Sequence, residues 1–373
     1  MSTTTPFRFY DNRQKYLAFV NTCNEKQKVA DRAASELRET RPAPPSLRLF
    51  DAGMGDATVL ARLMRSAHAR WPTVPQLVVA KEISREDVRL GLEKMADRFL
   101  EHPTTVLVIT NLHYADAPVL RPSNADDATR LNWQVLRLEG NSSHDYAHQI
   151  DRLESVLEYG WATRTGPKGN PAYVRPSVLV IYRDDHAFLL DAVIPRPETP
   201  AIDYDFILAS QPWRARMSAQ FKVGKVLLPL TRRLAPGGRA LVIQSRGDDP
   251  GLEIVRTLWP DEAPFQVDRH KLLAELRGAL GAEAAAYSMP DPPDSESIFR
   301  YEMHTLPAEV GDRIGTSMLF AAWNAAIYVN QIEDERLGEV VANGRYLEAT
   351  QSVLRRHGGL WFNDEAFVVS RRA

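Results

Sequence analysis

A glycine-containing turn between two apolar segments has the residue types of a nucleoside site. The first apolar segment predicts a buried strand and leads directly into Asp51, Gly53 and Gly55, and the next apolar segment ends in Glu82. Glycines let the backbone N–H groups of a turn approach a ligand closely. A carboxylate at a strand end can accept hydrogen bonds from two ribose hydroxyl groups. We therefore predict that these four residues bind a nucleoside.

The spacing of the glycines separates two cofactor classes. A dinucleotide fingerprint needs glycine at the sixth position of Gly-x-Gly-x-x-Gly, and this position is Thr58. A nicotinamide-dependent oxidoreductase is therefore the weaker alternative. The turn is closer to Asp-x-Gly-x-Gly-x-Gly, with Ala57 in place of the last glycine. Taken alone, the turn also has a purely structural explanation, because any strand-to-helix turn can use glycine for a positive φ.

The elements around the turn predict an α/β fold. Apolar strands alternate with amphipathic helices, which favours a parallel, doubly wound sheet with helices on both faces. Three segments, 105–110, 133–138 and 177–182, have the composition of strands, and the sequence leaves open which is the third core strand. The other predicted strands lie near 47–50, 77–82, 204–209, 241–243, 299–306 and 360–370, and the predicted helices near 57–70, 85–100, 217–234, 268–280, 317–330 and 346–357.

The chain divides into a helical cover and one larger domain. Apolar residues recur at helical spacing before the proline-rich segment 41–45, which cannot continue a helix. We therefore predict an N-terminal helical cover, or lid, at residues 1–45. Residues 46–373 form the predicted Rossmann-like domain. Its insertion, at about 112–200, includes the Pro- and Gly-rich connection 164–171.

Composition and charge restrict the partners. The 373 residues are 44% hydrophobic and 25% charged, and the formal net charge of −2 argues against nucleic-acid binding. Cys23 is the only cysteine, so an internal disulfide and a cysteine-built zinc site are excluded. His144 and His148 have helical spacing but lack a third ligand, so we expect no metal. No apolar run is long enough for a membrane span, and residues 1–6 lack signal-peptide features, which predicts a cytoplasmic protein without membrane contact.

A third motif strengthens the cofactor prediction. The Pro-Gly-Gly sequence at 236–238 makes a turn into another apolar strand. Together with the glycine turn and Glu82, this order of motifs resembles that of class I S-adenosylmethionine (SAM) methyltransferases. The resemblance covers residues 47–110 and 202–245. It implies a Rossmann-like, doubly wound, mostly parallel sheet and SAM as the cofactor.

A more distant resemblance is to the histamine N-methyltransferase family of small-amine methyltransferases. It is carried by the segment 16–25, by Gln211 after the fourth core strand, and by the asparagine and aspartate that begin the last predicted strand. In that family the matching positions contribute a glutamate, a glutamine and an asparagine to the amine pocket. The resemblance therefore implies that Glu25, Gln211 and either Asn363 or Asp364 contact the acceptor.

Further positions complete the predicted site. The same resemblance places Ser142 or Ser143 at the adenine end of the cofactor. Trp213 could stack on the substrate, although an aromatic residue beside a proline is as often a packing residue. Glu25 also has an ordinary explanation, because basic residues nearby on the same helix could pair with it at the surface.

These motifs predict an enzyme that transfers a methyl group from SAM to a small molecule, an amine or another heteroatom nucleophile. Two other functions stay open. One is methylation of a protein or of a carrier-bound natural-product intermediate, with the insertion as docking surface. The other is a non-catalytic SAM-binding subunit. The sequence identifies no catalytic base, and the inserted strands could pair with a second copy, so a homodimer also stays open.

Overall fold

The computed structural model describes residues 13–165, 171–304 and 314–373. The β-strands are, in chain order, β1 (Leu47–Asp51), β2 (Gln76–Lys81), β3 (Thr105–Thr110), β4 (Asn132–Leu138), β5 (Thr163–Thr165), β6 (Pro171–Tyr173), β7 (Ser177–Arg183), β8 (Tyr204–Ser210), β9 (Leu234–Ser245), β10 (Tyr287–Ser288), β11 (Ile298–Glu302) and β12 (Trp361–Arg371).

The helices cover both faces and one end of the sheet. They are α1 (Arg13–Thr22), α2 (Glu25–Leu37), α3 (Thr58–Arg70), α4 (Arg85–Leu92), α5 (Met95–Glu101), α6 (Ala125–Thr129), α7 (Ser143–Asp151), α8 (Glu154–Gly160), α9 (Ala219–Lys222), α10 (Leu228–Thr231), α11 (Pro250–Leu258), α12 (Arg269–Leu280), α13 (Asp294–Ser297), α14 (Thr316–Val329), α15 (Leu337–Ala342) and α16 (Arg345–His357). A π-helical turn, Val223–Leu227, joins α9 to α10.

Five parallel strands form the centre of the main sheet, in the order β3-β2-β1-β8-β9. Counted along the core, this is the order 3-2-1-4-5 of a Rossmann sheet. The antiparallel strand β12 follows β9, and β10 and β11 both pair with β12. The predicted fold class, a Rossmann-like, doubly wound and mostly parallel α/β sheet, is confirmed.

The third core strand, left open by the sequence, is β3. Every residue of β2 and β3 is buried, as expected for parallel strands that are covered on both faces. The predicted strands at 133–138 and 177–182 correspond to β4 and β7, which extend the sheet beyond β3. Because β7 is antiparallel to β3 and β4 is parallel to β7, these two strands run against the core.

The hydrophobic core has a layer on each face of the sheet. Side chains of α2, α3, α5, α7 and α8 pack on one face, and side chains of α10, α12 and the π-helical turn pack on the other. A third cluster joins α1, α11, α14 and α16 beside β11 and the start of β12. This third cluster therefore forms a helical layer beside the end of β9 and the start of β12.

The N-terminal amphipathic segment is two helices rather than one. The helix breaks at Cys23 and Asn24 because the chain pairs there with the end of β11. The Asn24 backbone N–H donates to the Glu302 carbonyl at 3.0 Å, and the Glu302 N–H donates to the Asn24 side-chain oxygen at 2.7 Å. Helix α2 then packs on α3, and α1 packs on α14.

Three predicted segments fall partly outside the described residues. They are the beginning of the N-terminal cover (1–12), the middle of the Pro- and Gly-rich connection (166–170) and the end of the strand predicted at 299–306. The predicted helix at 85–100 is two helices, α4 and α5. Within the described ranges, the structure contains no helix with the length and apolar character of a membrane span.

Candidate functional site

A cavity of about 420 Å³ lies at the carboxyl ends of the core strands, beside β1, β2 and β8. Strand order reverses between β1 and β8, and open α/β sheets bind ligands in the crevice at such a point. The volume is within the range of roughly 300–1,000 Å³ that is usual for small-molecule sites. Helices α1 and α2 and the C-terminal part of α14 contribute to its wall. The cavity is therefore the candidate active site.

The predicted glycine turn forms one wall of this cavity. The Asp51 side chain accepts a hydrogen bond from the Gly53 backbone N–H at 3.1 Å. Gly55 has a φ of +53°, and a Cβ there would lie 3.1 Å from the Tyr16 hydroxyl oxygen, so the turn needs glycine at this position. Ala57 has a φ of +59°, a left-handed conformation that costs an alanine about 1 kcal/mol and that glycine adopts without this cost.

Helix α2 is attached to this turn through Asp56. Both Lys26 and Lys94 form ion pairs with the Asp56 carboxylate, and the Thr58 backbone N–H donates to it at 3.2 Å. Although burial opposes ionisation, the Lys26 ammonium lowers the pKa of Asp56 to about 2. The Lys26 ammonium also donates to the Tyr16 hydroxyl at 2.8 Å. These contacts hold the helical cover against the glycine turn.

Glu82 lies directly after β2, with its carboxylate in the cavity wall. One oxygen accepts from the Gly55 backbone N–H at 2.7 Å, and the other from the N–H groups of Ile83 and Ser84 at 2.7 and 2.8 Å. A carboxylate has about four acceptor positions, so the oxygen bonded to Gly55 retains one for a ligand. Burial raises the pKa of Glu82. The carboxylate thus connects the second strand to the glycine turn and can still accept a hydroxyl.

The Asp51 carboxyl is buried at the end of β1, with 3% of its surface exposed. Burial raises its pKa to about 7, against the Gly53 hydrogen bond, and the nearby charge of Glu82 raises it further. A cationic ligand group would favour the ionised form, because an opposite charge lowers the pKa of a buried carboxyl. This end of the cavity is therefore suited to the ammonium group of an amino-acid tail.

Gln211 connects three elements at the opposite end of the cavity. Its side-chain oxygen accepts from the Ser245 backbone N–H at 3.1 Å, and its amide nitrogen donates to the two Asp364 carboxylate oxygens at 3.1 and 3.2 Å. Its φ is +49°, an uncommon conformation for a residue with a side chain. Because most of its hydrogen-bonding capacity is used within the protein, Gln211 acts here as a rigid wall with at most one free N–H.

Two carboxyl groups lie near this end: Glu25 lines the cavity, and Asp364 lies behind Gln211. Glu25 is half-buried at the start of α2, and burial raises its pKa to about 6, against the attraction of Lys26. Asp364 is fully buried, and both burial and the charge of Glu25 raise its pKa well above the usual range. Two neighbouring carboxyl groups with raised pKa values form a site that a cation would stabilise.

Four rings form a continuous aromatic wall beside these carboxyl groups: Tyr16, Phe19, Tyr301 and Tyr328. The ring centroid of Phe19 lies 5.0 Å from that of Tyr328 and 6.0 Å from that of Tyr301, and Tyr16 lies 5.9 Å from Tyr328. All four residues line the cavity. Aromatic faces attract cations, and more strongly where water is excluded. The aromatic wall and the carboxyl groups together suit a positively charged group.

The predicted substrate residue Trp213 also lines the cavity. Its indole N–H donates to the Gln244 side-chain oxygen at 2.9 Å, and the Lys222 ammonium lies 5.5 Å from its ring centroid. These two contacts with the buried Gln244 and Lys222 fix the orientation of the ring. The structure therefore brings Trp213, Glu25 and Gln211 to one cavity.

The structure places Asn363 outside the lining of the cavity. The Asn363 amide donates to the carbonyls of Gly247 and Asp248 at 3.2 and 2.9 Å, and it does not line the cavity. Successive residues of a strand point to opposite faces, so Asp364 points inward and Asn363 outward. Of the two residues that the resemblance left open, Asp364 contacts the cavity-lining Gln211, and neither residue lines the cavity itself.

The positions of Ser142 and Ser143 also differ from the expectation. Ser142 follows β4, which is antiparallel to β3, so it lies at the edge of the sheet opposite the cavity. Its side chain accepts from the Asp145 backbone N–H at 3.2 Å, and the Asp145 carboxylate accepts from the Ser142 N–H at 3.1 Å. This is a capping box for α7, so both serines begin a helix instead of contacting a ligand in the cavity.

Sequence reasoning did not find several residues of this cavity. Tyr301 and Tyr328 reach it from β11 and α14, far along the chain, and no local pattern marks them. Lys81 had a local signal, because it is a cation in the last position of an otherwise apolar strand. In the described parts of the chain, no group of three or more His, Cys, Asp or Glu side chains is arranged to hold a metal.

No family model and no curated protein matches the chain. Among solved structures it is similar to a SAM-dependent methyltransferase from Thiobacillus denitrificans in complex with S-adenosyl-L-homocysteine (12% identity, 92% of this chain and 91% of that chain covered, TM-score 0.32). It is also similar to a geranyl diphosphate methyltransferase in complex with GPP and sinefungin (9% identity, 93% of this chain and 83% of that chain covered, TM-score 0.35). A third similar structure is a mycolic acid cyclopropane synthase complexed with SAH and CTAB (11% identity, 99% of this chain and 90% of that chain covered, TM-score 0.33). At such scores the likeness carries no conclusion about what this chain binds or catalyses.

Proposed function

We propose that the protein is a SAM-dependent methyltransferase whose acceptor is a small-molecule amine. The observation that carries this proposal is the division of one cavity into two ends. At one end, Glu82 and the glycine turn offer a carboxylate and backbone donors at the topological switch point. At the other end, Glu25 lines the cavity beside the aromatic wall, and the buried Asp364 lies behind Gln211. The resemblance to the histamine N-methyltransferase family stays a prediction.

The charges of the cavity fit SAM better than a dinucleotide. SAM has a ribose for Glu82, an ammonium-bearing tail for the Asp51 side of the turn, and a cationic sulfur. A dinucleotide could also place a ribose at Glu82, but its anionic pyrophosphate would be repelled by the Asp51 carboxylate, and Thr58 interrupts the glycine pattern that pyrophosphate binding requires. The close approach of Tyr16 to Gly55 would also be lost if the turn carried a side chain.

The reaction needs alignment more than it needs a strong catalyst. SAM supplies a methyl group on a positively charged sulfur; the C–S bond breaks as the bond to the acceptor nitrogen forms. Holding two reactants in line can contribute about 7–11 kcal/mol in favourable cases. Glu25 and the aromatic wall hold the acceptor amine, and Gln211 forms the fixed wall behind it. The attacking nitrogen must be uncharged, so its proton leaves to water or to a weak base.

A ligand-binding and activity series tests this function. We expect calorimetry to show binding of SAM and of S-adenosylhomocysteine (SAH), and none of NAD. We expect radiolabelled methyl transfer from SAM to small amines. Transfer to lysate proteins in place of small amines would shift the acceptor to a protein. Binding of SAH without transfer to any acceptor would favour the non-catalytic subunit.

Two substitutions separate the ends of the cavity. Glu25→Ala should raise the KM for the acceptor about tenfold or more, because a hydrogen bond to a charged group contributes about 1.5–3 kcal/mol. Gln211→Ala should also raise this KM, because it removes the fixed wall behind the acceptor. The affinity for SAM should stay nearly unchanged. Glu25→Gln keeps the side-chain shape, and Lys28→Ala on the exposed side of the same helix is the matched control. Equal loss of SAM affinity in the Glu25 and Gln211 variants would remove these residues from the acceptor end.

A further inference from the structure

Lys81 is a buried cation in the wall of the cavity. It is the last residue of β2, 6% of its surface is exposed, and it lines the same cavity as the glycine turn. Lys81 and Glu82 are consecutive residues in extended chain, so their side chains leave opposite faces of the sheet. Glu82 accordingly bonds to the glycine turn on the α3 face, whereas Lys81 lies with Tyr114 on the other face.

The Lys81 ammonium has no hydrogen-bond acceptor within the described ranges. Its nearest partner is the ring of Tyr114, whose centroid lies 4.6 Å away, and the Tyr114 hydroxyl is itself engaged with the Pro212 carbonyl at 2.8 Å. Burial lowers the pKa of Lys81 to about 8, against the attraction of Glu82. An isolated buried charge is unfavourable unless it is paired, so this ammonium is arranged for a partner that the chain does not supply.

The other buried or half-buried lysines near the cavity do have oxygen partners. Lys222 donates to the Gln244 side-chain oxygen at 3.2 Å, and Lys26 forms an ion pair with Asp56. Arg214 resembles Lys81 instead: it lines the cavity, and no described side chain accepts from its guanidinium. Two cationic side chains, Lys81 and Arg214, therefore line the cavity without a hydrogen-bond acceptor in the described parts of the chain.

A short loop connects these cations to the acceptor end. Gln211 contacts Asp364, and two and three residues later Trp213 and Arg214 line the cavity. Pro212 between them accepts the hydrogen bond from the tyrosine that covers Lys81. A single small molecule bound along this loop would meet carboxyl groups at one end and cations at the other.

We propose that Lys81, assisted by Arg214, binds an anionic group of the methyl acceptor, a carboxylate. The acceptor class is then an amine that also carries an acid. This inference rests on the proposed methyltransferase function. The tail carboxylate of SAM is the other conceivable anion, but the glycine turn and the start of α3 lie on the opposite face of the sheet from the Lys81 side chain.

Binding to the SAH-loaded protein tests this subsite. Calorimetry compares a series of ω-amino acids of increasing length with the n-alkylamines of the same length. Working below the Lys81 pKa of about 8 keeps the ammonium charged. We expect the best-fitting amino acid to bind about tenfold or more tightly than its alkylamine, as one charged hydrogen bond predicts. Lys81→Met should abolish this preference and Arg214→Gln should reduce it, whereas the exposed control Lys225→Met should retain it.

Each other outcome contradicts the inference at a definite point. Equal affinity of amino acids and alkylamines for the wild-type protein would exclude an anion subsite. Weaker SAH binding by Lys81→Met would assign the ammonium to the cofactor's carboxylate. Removing an unpaired buried charge should not lower the melting temperature of the ligand-free protein, so a large loss would mean that Lys81 has a structural role. Failure of the wild-type protein to bind SAH would refute the proposed function itself.

Discussion

Glu82→Gln is the substitution that most sharply tests the nucleoside end of the cavity. The carboxylate accepts three backbone hydrogen bonds at 2.7–2.8 Å, which leaves about one of its four acceptor positions for a ribose hydroxyl. A hydrogen bond to a charged group contributes about 1.5–3 kcal/mol, so losing it should weaken SAH binding about 10- to 150-fold. If both ribose hydroxyls donate to Glu82, the Gly55 N–H must release the carboxylate. This N–H could then donate to the ligand.

The assay is a calorimetric cycle with two ligands and two proteins. We expect 5′-methylthioadenosine to bind wild-type protein more tightly than its 2′-deoxy analogue, and Glu82→Gln to bind both equally. Glu86→Gln, a half-buried position on α4 outside the cavity lining, is the matched control and should bind both ligands as wild type does. Thermal unfolding checks that the variant folds, because the glutamine amide would leave one backbone donor unpaired at a cost of about 1–3 kcal/mol. A folded variant with undiminished affinity would refute the ribose assignment.

Three further changes have defined outcomes. Because folding raises the pKa of Asp51 from 3.8 to about 7, the contribution of this residue to stability is fully present below pH 3.8 and is lost as the pH rises through about 7. Plots of melting temperature against pH for the wild-type protein and for Asp51→Asn should therefore differ in slope across this window. Parallel plots would contradict the raised pKa of Asp51. Ser142→Ala should cost about 1 kcal/mol in chemical unfolding through loss of the cap, while SAH affinity is unchanged; weaker SAH binding would return this serine to the site. Gly251→Ala would place a Cβ 2.1 Å from the Phe362 ring and should destabilise the protein by about 1–3 kcal/mol; a melting temperature equal to wild type would show that α11 can shift freely.

The nucleoside end could be predicted from sequence because its parts are close in the chain. Asp51, Gly55 and Glu82 belong to one strand–helix–strand unit, whose geometry is nearly fixed once the pattern is recognised. Gln211 could be predicted for a related reason, because the fourth core strand of such a sheet lies next to the first. The role of these residues in binding stays a proposal, whereas the fold that positions them is confirmed.

The acceptor end could not be predicted to the same degree because it depends on long-range pairing. The register of β12 decides which of Asn363 and Asp364 points toward Gln211, and no local motif encodes that register. Ser142 was misplaced because the direction of β4 is set by its pairing with β7, not by its own residues. Tyr301 and Tyr328 reach the cavity only through the packing of β11 and α14, which no local motif encodes.

The most direct measurement is a crystal structure of the protein with SAH bound. We expect the ribose hydroxyls within hydrogen-bond distance of the Glu82 carboxylate, the amino-acid tail over the turn from Asp51 to Gly55, and the sulfur directed toward Glu25 and Gln211. SAH bound elsewhere, or a cavity that stays closed by its own side chains at saturating SAH, would contradict the assignment of this cleft to a methyl donor.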